Sequence, residues 1–387
     1  ALVRVCGHIC VVNSKAMEKA GINKDTEPPP GGEIDKDPLT GEPTGIIREK
    51  ALDLIFKSLP KAGEDEILNF CLKACQEAVK AGLTSVHWII ESPAEMRVIQ
   101  RLRKEDKLPL RVYLLIPVEF LEHLEGLGLM HGFGDSMIKI GGVKILLDGS
   151  LGARTAALHE PYSDAPETSG MLIYSQEELE KLFSKVHNAG LQLAVHAIGD
   201  KAIDMALRTF EKVIRKNPSV DHRHRIEHAS VLNRELIQKM RRLGVLASVQ
   251  PHFIVSDFWV EQRLGRARAR WTYPFKTLLE EGVVVCAGSD CPVEPISPML
   301  GVWAAVAKQP NHEERLTVEE ALRLYTVNAA YASFEENIKG TIEEGKLADM
   351  IVLSEDPFKV EPERIKEINV LMTIVGGKIV YDRIRKV

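Results

Sequence analysis

Seven short apolar runs between Gly82 and Asp290, separated by amphipathic stretches, constrain the fold more than any other feature. They read GLTSVHWII (82–90), LRVYLLIP (110–117), MIKIGGVKILLDG (137–149), LQLAVHAIG (191–199), HRIEHAS (224–230), GVLASVQP (244–251) and GVVVCAGSD (282–290). Each has strand length, and most of the segments between them carry helical periodicity. A nearly continuous apolar run suits a strand covered on both faces, as in a parallel sheet wrapped by helices. The expected class is therefore α/β, a (β/α)8 TIM-type barrel. Only seven strands are visible, so the first barrel strand is expected to be absent from this chain and to lie upstream of Ala1.

The flanks read differently. LVRVCGHICVV leads into PPPGGEIDKDPLTGEPTG, a loop or short hairpin, and EDEILNFCLKACQEAVKAG is a helix feeding the first run. Residues 1–81 are expected to form a lead-in segment over the barrel mouth plus that helix, and 82–340 the barrel. Residues 341–387 supply strands of a small β-sandwich domain, with Gly376-Gly377 as a hairpin turn. Before them, LTVEEALRLYTVNAAYAS is helical, with Thr317 and Glu320 at capping-box spacing.

Bulk properties narrow the class. The 387 residues are 45% hydrophobic, enough for a large core, and the formal net charge of −5 offers no positive field for nucleic acid or anionic membranes. No apolar stretch approaches the ~20 residues that span a bilayer, and the N-terminus has no signal-peptide cleavage pattern. The six cysteines contain no C-x-x-C pair and read as free thiols in a reducing cytoplasm, with Cys71 and Cys75 packing on one helix face. Walker A, G-x-G-x-x-G and G-x-S-x-G motifs are absent. The expected partner is a small-molecule substrate, with homo-oligomerisation open.

Chemistry is sought where barrel strands meet their following loops, the rim that carries active sites in this architecture. Lys144, His196, His228 and Asp290 each sit at or near such an end. Imidazole and carboxylate suit zinc and similar divalent ions, so these four are the expected metal site, one ion or two, with Asp290 also catalytic. Taken singly, a strand-end histidine is more often a satisfied polar residue, and Lys144 alternatively pairs with Asp148 or Glu227. Arg154 and Thr155, on the long loop after the third run, and His252, in QPHF, are candidate substrate contacts. For Arg154 the competing reading is a loop-holding ion pair with an aspartate. Asp200 reads as a helix N-cap. His222 and His224 read as surface or interior fillers.

The same residues resemble the amidohydrolase superfamily of metal-dependent hydrolases, in the branch containing N-substituted formamide deformylases. The resemblance spans nearly the whole chain and rests on HICVVNSKAMEKAGI, GEPTGIIRE, VKILLDGSLGARTAAL, VHAIGDKAIDMAL, HRIEHAS, SVQPHF, AGSDCPVEPISPML, EEALRLYTVNAAYA and GTIEEGKLADMIVL, in that order. It implies that His196 and His228 are ligands on the fifth and sixth barrel strands. It further implies that Lys144 on the fourth is a carboxylated bridging lysine, and that Asp290 on the eighth is both ligand and proton shuttle. The family's H-x-H pair at the end of the first strand has no counterpart at that place here, matching the strand count. His8 matches a family position without an assigned role.

The leading expectation is thus hydrolysis of a non-peptide carbon–nitrogen bond in an amide, formamide or cyclic amide, by metal-activated hydroxide. Deamination is disfavoured, because His196 is followed by Ala-Ile-Gly-Asp and not by the glutamate that deaminases of the superfamily use. A lactone or ester hydrolase shares the same chemistry. A non-catalytic or truncated barrel lacking a complete metal site is the alternative from a different class.

Overall fold

The computed structural model describes every residue except 6, 61, 219, 220 and 385–387. Four strands open the chain: β1 (Leu2–Val3), β2 (Ile9–Val11), β3 (Gly32–Lys36) and β4 (Pro43–Glu49). They pair antiparallel in the order β1-β2-β4-β3. The turn-rich stretch is thus a true hairpin, β3 to β4, and it closes a small core of Cys10, Val12, Ile34 and Ile47.

The next seven strands are those expected from the apolar runs: β5 (Ser85–Ile89), β6 (Arg111–Pro117), β7 (Ile138–Leu146), β8 (Gln192–Ala197), β9 (Arg225–His228), β10 (Leu246–Val249) and β11 (Val285–Ala287). They form one parallel sheet in strict chain order, β5 through β11. The sheet curls enough that Arg225 on β9 reaches across the interior to His87 on β5, Nη1 to Nδ1 2.7 Å. Among the described residues no eighth strand bridges β5 and β11. Residues pointing away from the lumen, such as Val143, Val195, Ile226 and Ala247, are fully buried under the helices. The helix at Asp200–Lys216 shows the logic: Ile203, Ala206, Phe210 and Val213 fall at helical spacing and are all buried.

Three further strands, β12 (Met350–Leu353), β13 (Val370–Val375) and β14 (Lys378–Asp382), make a separate antiparallel sheet. Gly376 and Gly377, with φ of 56° and 78°, form the expected two-residue turn. Arg111 at the start of β6 clamps this sheet to the barrel by a bidentate bond to Asp349, Nε–Oδ2 2.6 Å and Nη2–Oδ1 2.9 Å.

Local expectations divide. Thr317 and Glu320 do make the reciprocal capping box at Val318–Tyr325. Cys71 and Cys75 are buried free thiols, as are Cys10 and Cys286, while Cys291 is free and exposed; Cys6 lies outside the described residues. Asp200 is not an N-cap. Gly199 occupies that position, and the Asp200 carboxylate instead accepts the Lys201 and His159 amides, both at 2.9 Å. Among the described residues no helix is long and apolar enough to cross a membrane.

Candidate metal centre

Register brings the histidines together. Leu146 of β7 pairs with His196 of β8, and Ala197 pairs with His228 of β9, so both imidazoles leave the sheet at the carboxyl rim of adjacent strands. Their ring centroids are 4.5 Å apart, edge to face at 70°. His228 adopts φ 75° and Asp290 φ 57°. Backbone in this left-handed region is uncommon outside glycine, costs about 1–3 kcal/mol, and clusters at functional sites.

Each imidazole is locked in one tautomer. His196 Nε2 donates to the Gly149 carbonyl at 3.1 Å, with Asp148 Oδ1 at 3.5 Å, which leaves the lone pair on Nδ1. His228 Nδ1 donates to Gln250 Oε1 at 2.7 Å, which leaves the lone pair on Nε2. A ring that gives its N–H to an oxygen and keeps its other nitrogen bare is the usual state of a metal-ligating histidine. Burial, and then the nearby His228, His8 and Lys144, push the His196 pKa well below the ordinary histidine value. Burial also lowers that of His228, with Asp290 opposing. Both rings are therefore neutral, as ligation requires.

Lys144 lies in the buried lumen below the rim, paired in register with Ala194. Burial lowers its pKa, opposed by the nearby Glu227 and Asp290 carboxylates. Glu227 also loses solvation, but Arg225 and Lys144 outweigh this and hold its pKa down. Arg225 binds Glu227 at Nε–Oε1 2.5 Å. The lumen thus holds a column of polar side chains, the His87 ring with Arg225, Glu227 and Lys144, with Asp290 near enough to Lys144 and His228 to act on both.

The structure gives the loop candidates partners of their own. Arg154 forms the loop ion pair, Nη2 to Asp164 Oδ2 2.9 Å. Thr155 is 3% exposed, and its hydroxyl donates to Glu49 Oε1 at 2.6 Å. His252 Nδ1 bonds the buried Glu294 carboxylate, which also takes the Ser256 hydroxyl.

Three groups at the rim escaped sequence reasoning. Asp148, wholly buried, accepts the amides of Ala157 (2.9 Å), Ile198 (3.0 Å) and Gly199 (2.9 Å). Burial outweighs those bonds and raises its pKa to about 7. Gln250 fixes His228, and Glu49 of β4 bonds His8 Nδ1 at 2.8 Å. Position at a strand end was the one signal available for Asp148 and Gln250. The only literal H-x-H, His222-Arg223-His224, lies at the start of β9, at the opposite end of the sheet from the rim, with both rings engaged internally.

The donor chemistry fits a divalent ion at the His196–His228 pair. Among the described residues, no group of three or more His, Cys, Asp or Glu side chains is arranged to hold one.

A curled parallel sheet with neutral imidazoles and a carboxylate at its carboxyl rim belongs to the α/β-barrel class whose chemistry is done at that rim. Within it, the chain belongs to the amidohydrolase family, whose model (Amidohydro_3) matches residues 1–381. It is 38% identical to the YtcJ protein of Bacillus subtilis (strain 168) over 99% of this chain and 74% of that one. It is 28% identical to the N-substituted formamide deformylase of Arthrobacter pascens over 99% and 73%. A crystal structure of an uncharacterized metal-dependent hydrolase from Pyrococcus furiosus superposes with a TM-score of 0.77 at 36% identity, covering 92% of this chain and 72% of that one. The protein is a hydrolase of a metal-dependent family.

Proposed function

We propose that this hydrolase cleaves a non-peptide carbon–nitrogen bond, in an amide, formamide or cyclic amide, with a divalent ion, zinc or a similar one, at the His196–His228 rim. The observation that carries the reading is the His196–His228 pair, two buried neutral rings 4.5 Å apart, each with one nitrogen bound to a protein oxygen and the other bare. Likeness to an N-substituted formamide deformylase supports the bond class.

His196 Nδ1, His228 Nε2 and the Asp290 carboxylate would hold the ion, with Lys144 contributing as a carbamate formed when its free amine adds dissolved CO2 and releases a proton. When bound, such an ion supplies a Lewis acid for the carbonyl oxygen and lowers the pKa of a water from 15.7 to about 7. The Asp290 carboxylate takes a proton from the attacking water and returns it to the departing amine, base first and acid second. Burial of Lys144 favours the uncharged amine that carboxylation needs. Gln250 and Gly149 hold the two rings in the tautomers that ligation requires.

A second reading, a barrel that binds no ion and does no chemistry, is favoured by the absence of a three-donor group among the described residues. Metal content by plasma mass spectrometry, together with turnover of N-benzylformamide, separates the two. Near-stoichiometric metal and formamide hydrolysis are expected. Metal below about a tenth of an equivalent after zinc loading leaves the second reading standing.

A further inference from the structure

We infer that the seam between the barrel and the C-terminal sheet is a second small-molecule site, separate from the metal centre, that takes a monocarboxylate carried on a compact apolar body. The inference goes beyond the hydrolase reading and does not rest on it.

The C-terminal sheet rests on the helix Glu64–Lys80, where the Thr373 hydroxyl donates to the Val79 carbonyl at 2.7 Å. Nearby, the turn Pro362–Glu367 packs against the helix Pro298–Trp303, and Ile365 and Ile368 are buried. Between these contacts the elements do not close, and a cavity of about 520 Å³ remains. Small-molecule sites span about 300–1,000 Å³. None of the residues lining it belongs to the metal centre.

The lining is divided. Met299, Ile368 and Val370 are buried and, with the partly buried Leu300 and Tyr381, give an apolar floor. At the exposed lip stand Lys80, Lys366 and Arg383 against one carboxylate, that of Glu77.

Other cations on this face have acidic partners: Lys308 pairs with Glu363 at 2.9 Å, Arg364 with Glu355 at 3.3 Å, and Lys80 with Glu77 at 3.3 Å. Lys366 lies instead over the Trp303 ring, 4.8 Å from its centroid, and the Arg383 guanidinium donates to the neutral side chain of Asn369. Among the described residues neither has a carboxylate at ion-pair distance, and both line the cavity.

Loose packing alone gives no reason for two cations without counter-ions to meet at one gap. Beside an apolar floor they complement an amphipathic anion. Its carboxylate takes charge-assisted bonds from both cations at the wet lip, and its body displaces water from the floor. A bare anion leaves the floor uncovered, and a neutral molecule leaves the cations unmet.

Methyl NMR of the purified protein reads the site directly, because Met299 lines the floor; its resonance is assigned with Met299→Leu. 4-Phenylbutyrate is expected to move that resonance saturably, with a Kd of about 1 mM or tighter. Acetate and 4-phenylbutanol, which keep only the charge or only the body, are expected to bind about 10-fold more weakly. The double variant Lys366→Gln/Arg383→Gln, changed only at exposed side chains, is expected to lose about 10-fold for 4-phenylbutyrate and nothing for 4-phenylbutanol. A Met299 resonance indifferent to 4-phenylbutyrate overturns the inference, even if the double variant fails to fold. So does acetate or 4-phenylbutanol binding as tightly as 4-phenylbutyrate, or an affinity unchanged in the double variant. Turnover plays no part in the measurement, so these outcomes leave the hydrolase reading where it stands.

Discussion

Gln250, one residue beyond β10, holds His228 of β9: its side-chain oxygen accepts the imidazole Nδ1–H at 2.7 Å while its amide reaches the Ser248 carbonyl at 3.4 Å. That second bond tells the oxygen from the nitrogen of the amide, and so sets which ring nitrogen stays bare. Outer partners of this kind are worth about 10- to 100-fold in metal affinity. Gln250→Leu is therefore expected to weaken zinc binding by about that factor, measured by competition with a chromophoric chelator, and Gln250→Glu to retain most of it. Equal affinities in Gln250→Leu and wild type would remove His228 from the ligand set.

Asp148 should matter to folding before it matters to chemistry. Its two oxygens collect three backbone amides, from the loop after β7 and the loop after β8. Asp148→Ala strands those donors in a dry interior, a loss of about 3 kcal/mol or more. Asp148→Asn should lose less, because its oxygen can still take the Ala157 and Gly199 amides while its NH2 meets the Ile198 amide, donor against donor. Urea denaturation at pH 7 checks both, and a change under about 1 kcal/mol for Asp148→Ala would contradict the account.

The barrel was legible because its central strands, β6, β8, β9 and β10, are buried on both faces, and an apolar run such as LQLAVHAIG admits few other readings. The placement of Lys144, His196 and His228 toward the ends of β7, β8 and β9, and of Asp290 just beyond β11, was legible for the same reason, since an ionisable group closing such a run stands out. The N-terminal sheet was not. β1 and β2 have two and three residues, too short for any periodicity to register. β2 is placed by pairing with β4, across a sequence gap no local pattern spans, and β1 by pairing with β2. The bond from Thr155 to Glu49 joins residues 106 positions apart, so Thr155 read as a mouth-facing loop residue and not as the anchor of a distant carboxylate. Asp200 was misplaced by one position because the helix starts at Asp200 itself, after a glycine cap.

The Arg111–Asp349 clamp ties the C-terminal sheet to the barrel. The two side chains are 6% and 4% exposed, and Asp349 also takes the Gly376 amide at 2.8 Å. Removing one partner of a buried pair leaves the other charged and dry, a penalty of about 3–5 kcal/mol. Asp349→Ala is expected to lose that much stability, and limited proteolysis should then cut between Ala348 and the C-terminus first. Uniform cleavage along the chain would show that the clamp does not localise the loss.

Acid should weaken the protein at the end of the sheet opposite the metal centre, as well as at the buried His196. There His224 Nδ1 accepts the Leu193 amide at 3.1 Å, so its proton sits on Nε2 and is donated to His187 Nδ1 at 2.8 Å. His187 in turn donates from Nε2 to the Asn217 carbonyl at 2.6 Å. Every lone pair in this relay is occupied, and a proton added to His224 has to break the Leu193 bond. Burial, reinforced by His222 and His187, holds the His224 pKa well below its ordinary value. The unfolded chain takes up that proton near pH 6.5, whereas the folded protein refuses it until much lower pH. The sign follows: this contribution to stability is complete above about pH 6.5 and is lost as pH falls below it, at up to about 1.4 kcal/mol per unit. His224→Gln removes the titrating group and, whatever its stability at pH 7.5, should show a shallower decline between pH 6.5 and 5.5. Urea midpoints at pH 7.5, 6.5 and 5.5 give the comparison; parallel declines for the two proteins would mean that the acid sensitivity arises elsewhere.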